Sequence, residues 1–238
     1  MNSLTQYFVP QWIPIFFLIA IPIPFVLIAL FVRKVTQPQD GQSSFLAVAA
    51  FFSLYLAYTT FACLNGWFNE VSLPPKVLLF TTFPYGFLLF AVVLNQKSYK
   101  RSLENAPLEG IVKLHIFRLI GVFFILIALH DALPKPFAFI AGIGDMIVAI
   151  TSIFVARAIQ NQKSYARKLT YAWNIFGTVD ILFTAIAANV LTKMSIESGV
   201  MGVDTLATFP FCIIPAFAPP TILFLHLAIF QKLKKNSI

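Results

Sequence analysis

Three ionisable side chains stand inside stretches that are otherwise apolar: Arg118, Asp145 and Asp180. Charge in hydrocarbon costs at least about 2.5–3.5 kcal/mol per residue, so such groups turn to the interior of a helix bundle and find partners. Two carboxylates and one guanidinium can hold a proton, a cation or a polar solute. A neighbouring carboxylate favours the protonated form of an acid and a guanidinium favours the ionised form. Opposed pressures of that kind make a proton relay. The alternative chemistry is inert: an Arg–Asp bridge that fixes the register of the helices it joins. Two acids to one base leave a surplus carboxylate, which must be protonated, bound to something or in contact with water.

These residues need elements to position them. Of 238 residues, 59% are hydrophobic and 11% charged, and the mean hydropathy is +0.84. A soluble domain is nearer half apolar and a quarter charged. Runs of about 20 apolar residues cross roughly 30 Å of hydrocarbon as helices. Strict alternation in segments of roughly ten, the mark of a transmembrane barrel, is absent. The chain therefore reads as an all-α polytopic bundle, one transmembrane domain over residues 1–238. Its seven spans lie at about 12–33, 44–67, 75–95, 111–132, 137–158, 168–191 and 206–231. No stretch remains for a soluble domain. The N-terminus has no Lys or Arg before its apolar run, so span 1 is read as retained rather than as a cleaved signal.

Lys and Arg are distributed 13 to 3 between the two sets of loops, with Arg118 inside a span. The positive-inside rule then puts the N-terminus outside and the C-terminus in the cytoplasm. The net charge of +8 is accounted for by topology and anionic lipid, and no nucleic-acid partner is expected.

Helical spacing groups the polar residues. In span 5, Ala138, Ala141, Asp145, Ala149, Ser152 and Ala156 recur at three- and four-residue steps. In span 6, Thr170, Asn174, Gly177, Asp180, Thr184 and Ala188 do the same. Small-and-polar stripes let membrane helices approach closely. His115 and Arg118 share a face of span 4. The expected cluster is Arg118, Asp145, Asp180 and Asn174, with His115 at its cytoplasmic edge. Span 7 carries Pro210, Pro215, Pro219 and Pro220. A proline removes the donor to the carbonyl four residues earlier, which frees those of Phe211, Pro215 and Ala216. Either the broken helix lines a cavity, with Pro215, Pro219 and His226 on it, or the kink is rigid and packed on its neighbours.

His115 and His226 lie at matched depth, and two such histidines could ligate a b-type haem. No other cofactor and no metal site is expected: HExxH, CxxC and Gly-rich phosphate loops are missing. Cys63 and Cys212 both fall in outer halves of their spans and read as buried free thiols. The phrase NQKSY occurs at 95–99 and again at 161–165. It marks either a duplicated hairpin, as in many transporters, or two interfacial anchors.

The segments HIFRLIG, LPKPFAFIAGIGD and WNIFGTVD, between His115 and Asp180, resemble a pattern found in uncharacterised bacterial seven-helix integral membrane proteins. The resemblance implies a bacterial cytoplasmic (inner) membrane and carries no activity. The residues themselves point to a small-solute or proton-linked carrier, or a membrane-embedded binding protein. The other readings are a structural or accessory membrane protein, and a haem-binding or lipid-acting membrane enzyme.

Overall fold

The structure is a computed structural model and describes residues 8–235. Seven helical segments are long and apolar enough to cross a membrane: α1 Trp12–Val35, α2 Gly41–Leu64, α3 Leu78–Asn95, α4 Leu108–Leu129, α5 Lys135–Gln160, α6 Ala166–Ser198 and α7 Ile213–Lys235. They correspond one to one to the seven expected spans. In α4 and α7, 61% of the most apolar stretch is buried, against 17% in α2 and α6 and 11% in α3. Helices α4 and α7 therefore form the centre, and the apolar outer faces of α2, α3 and α6 suit lipid.

Several boundaries move for local reasons. Helix α7 starts at Ile213, not near 206. Residues Asp204–Ala207 form a short 3-10 turn, and the chain turns through Pro210 before the helix begins. Pro215 then sits in the first turn of α7, where a missing N–H costs no helical bond. Helix α6 continues to Ser198 and stops at Gly199, whose φ of 65° is the left-handed C-terminal cap. Its extra turns carry the Lys193–Glu197 ion pair at 3.7 Å, as suits a segment leaving the apolar layer.

Helix α3 is irregular. It contains two π-helical stretches, Leu78–Thr82 and Leu88–Val92, around the α-helical turn Phe83–Phe87. Pro84 leaves the Phe80 carbonyl without its helical donor, and the Tyr58 hydroxyl supplies one at 3.0 Å. The freed carbonyls around the prolines of α7 are satisfied in the same way. Tyr55 donates to Ala216 O at 3.0 Å, Thr82 donates to Pro215 O at 2.7 Å, and the Ile214 N–H reaches Phe211 O at 2.9 Å. Helix α7 stays continuous through its prolines, and its freed carbonyls are held by α2 and α3.

A short amphipathic helix, Lys97–Asn105, joins α3 to α4. It is tied to the ends of α1 and α7: Asn105 donates to Val35 O at 3.2 Å, Tyr99 to Gln231 at 3.0 Å, and Lys235 pairs with Glu104 at 2.8 Å. Arg167, at the start of α6, donates to Leu233 O at 3.1 Å. The basic connections therefore gather at one end of the bundle. The two NQKSY copies have different conformations. The first ends α3 and opens the amphipathic helix; the second is a turn before α6. Cys63 and Cys212 are both free and buried.

Candidate functional site

Arg118 lies on a stretch of α4, His115–Gly121, that winds as a 3-10 helix. Three residues per turn stack positions i, i+3 and i+6 on one line. His115, Arg118 and Gly121 are such a line. It faces α5, the helix on which α4 packs most closely, and the start of α6.

The guanidinium is 1% exposed and four of its five donors are used. Nε donates to Asp145 Oδ1 at 2.6 Å. Nη2 donates to Asp180 Oδ2. Nη1 donates to the Gly177 carbonyl at 3.2 Å and to His226 Nε2 at 3.2 Å. Arginine only donates, so His226 Nε2 accepts and the imidazole is the neutral tautomer protonated at Nδ1. That proton meets Asn174 Oδ1 at 2.7 Å, while Asn174 Nδ2 donates to the His226 carbonyl at 3.1 Å. Asn174 is therefore placed to orient His226, which in turn faces Arg118.

Glycines make the room. A Cβ on Gly144 would overlap the Asp180 carboxylate, and one on Gly121 would overlap Asp145. A Cβ on Gly177 would lie 2.6 Å from the His226 ring, and one on Gly142 would lie 2.7 Å from the Gly121 carbonyl. In the sequence AGIGD, Gly142 thus lets α5 approach α4, Gly144 admits the carboxylate of α6, and Asp145 meets Arg118. The α5 stripe of Ala138, Ala141, Asp145, Ala149, Ser152 and Ala156 is buried throughout.

The cluster borders a cavity of roughly 620 Å³ walled by α3, α6 and α7 with parts of α4 and α5. Its lining is mainly apolar, and among the described residues Arg118 and Asp145 are its only ionisable ones. Asp145 uses Oδ1 for Arg118, and Oδ2 has no hydrogen bond among the described residues. Pro215 and Pro219 line this cavity. His226 does not; it belongs to the charged cluster instead.

His115 is fully buried and neither ring nitrogen has a hydrogen-bond partner. It packs edge-on against Trp173 at 5.1 Å and lies 4.3 Å from the His226 ring, centroid to centroid. Its link to the cluster is ring packing, where the sequence suggested a polar edge. Two rings in contact, with both His226 nitrogens engaged, leave no space for a haem iron between them. Among the described residues no group of three or more His, Cys, Asp or Glu is arranged to hold a metal. Spacing along single helices could not reveal that His226, Tyr55 and Thr82 belong to this framework, since each acts across helices.

One protein family, described as a domain of unknown function, matches residues 74–234 of the chain, a stretch that includes the whole cluster. No curated protein and no solved structure matches it significantly.

Proposed function

This chain belongs to the family Domain of unknown function (DUF8737), and from the geometry of its polar cluster we propose a proton-linked carrier, or a membrane-embedded binding protein, for a small solute. The observation that carries this reading is Asp145: a buried carboxylate with one oxygen on Arg118, on a residue that lines a 620 Å³ cavity. That volume is within the range of small-molecule sites, about 300–1,000 Å³. With His226 neutral, one guanidinium and two ionised carboxylates sum to −1, so the ionised cluster calls for a proton or a cation. Asp145 meets the solute, Asp180 shares Arg118 with it, and Asn174 and His226 hold the guanidinium in place.

The proposed setting is the cytoplasmic membrane of a bacterium, with the N-terminus outside. The gathering of the basic connections at one end of the bundle supports that orientation. The second reading is a purely structural tie between α4, α5, α6 and α7, and the near-complete engagement of Arg118 favours it. The discriminating experiment is purification in mild detergent followed by mass spectrometry of bound small molecules, for the natural protein and for Asp145→Asn. A specific molecule lost in a folded Asp145→Asn protein supports the binding site. The same molecule retained in full by the variant would sink it.

A further inference from the structure

We infer that the solute is a lipophilic organic cation, an amine or onium group on an apolar body. This rests on the binding-site reading above and names its ligand class.

Charge decides first. Arg118 spends four donors on Asp145, Asp180, Gly177 and His226. An anion entering the cavity would find one donor left on it, and would meet a cluster that is already −1 when ionised. No lysine and no second arginine lines the cavity. A cation meets Asp145, which lines the cavity and is buried, and neutralises the cluster.

The walls decide the rest. Phe83, Phe87, Phe90, Phe117, Phe124 and Phe137 all line the cavity. Aromatic faces attract a cation within about 6 Å, more strongly where water is excluded. The same faces repel an anion, and a hydrated metal ion would lose its water to a surface with few oxygens. The uncharged polar residues Thr82, Thr184 and Asn189 are too few to replace that shell. An organic cation carries its own apolar covering and needs no such replacement.

Proton linkage follows with balanced charge. When the surplus carboxylate is protonated, the arriving cation replaces that proton, which leaves to water, and the carboxylate stays as the cation's counter-charge.

The test uses the full chain in nanodiscs of zwitterionic lipid. Binding of tetraphenylphosphonium is measured by calorimetry against tetraphenylborate, an anion of the same shape. The inference expects the phosphonium to bind at least tenfold tighter than the borate. It also expects about one proton released per cation below the pH at which the carboxylate ionises, and a tenfold or larger loss of affinity in Asp145→Asn. Preferential binding of the borate, lost in Asp145→Asn, would overturn the cation assignment while leaving the binding site intact. If neither probe binds and no small molecule co-purifies, both readings fall. Should Asp145→Asn fail to fold, the comparison of phosphonium with borate on the natural protein decides by itself.

Discussion

Gly144 of α5 stands where any side chain would occupy the space of the Asp180 carboxylate of α6. The contact between a missing Cβ and a charged group explains why an acid can sit this deep. Helices α5 and α6 come close enough for one arginine to reach both of their carboxylates. Gly144→Ala should therefore destabilise the protein by about 1–3 kcal/mol, the usual cost of overpacking. Gly86→Ala is the control, because its Cβ would meet only Pro220 at 3.8 Å, an ordinary contact. Thermal unfolding in mild detergent separates the two; equal midpoints would contradict the cradle.

The hydroxyls of Tyr55 and Thr82 replace helical donors that Pro220 and Pro219 lack. Interhelical hydrogen bonds in membranes average about 0.6 kcal/mol and reach about 1.7. Tyr55→Phe and Thr82→Val should fall at the upper end, since a proline-freed carbonyl has no partner in its own helix. Tyr165→Phe, at an exposed site, should change nothing. Unfolding midpoints of the three variants are the measurement.

Arg118→Ala should be the most damaging single change in the cluster. It leaves two buried carboxylates and His226 Nε2 without their donor, and breaking a buried ion pair on one side costs about 3–5 kcal/mol. Asp145→Asn should cost less, because an amide oxygen still accepts from Nε. Folded yield and midpoint of the two proteins give the order; the reverse order would show that the charge of Asp145 matters more than the donors of Arg118.

His115 and His226 touch, yet they should respond oppositely. His115 brings two unpartnered nitrogens into the core, so His115→Leu should be neutral or stabilising. His226→Leu removes an acceptor from Arg118 and a donor from Asn174 and should destabilise. A strong loss in His115→Leu would reveal a partner for its ring nitrogens.

At the basic end, hydrogen bonding and charge from Lys235, with smaller contributions from Lys232 and Arg101, hold the exposed Glu104 carboxyl below its ordinary value. A depressed carboxyl contributes stability above the unfolded pKa, and the contribution is lost as pH falls through the folded one. The effect is confined to the acid side of the ordinary glutamate range and should weaken with salt. Lys235→Ala should move the Glu104 titration upward, read by carbon NMR of labelled glutamate.

Much of the bundle was legible in the chain. Seven apolar runs had to become seven helices, because backbone groups in hydrocarbon must bond within their own segment. Arg118, Asp145 and Asp180 had to meet, because buried charges require partners. The α5 stripe announced its buried face through three- and four-residue spacing, which a single helix fixes by itself. What tertiary structure alone decided is everything that joins residues far apart in sequence. His226 leaves the cavity wall and accepts from Arg118, since the donor it meets lies 108 residues away. Tyr55 and Tyr58 of α2 satisfy carbonyls freed by prolines in other helices. His115 meets the rings of Trp173 and His226, which lie 58 and 111 residues away in sequence. Periodicity reports which face of a helix is buried; only the packed bundle determines which atoms that face meets.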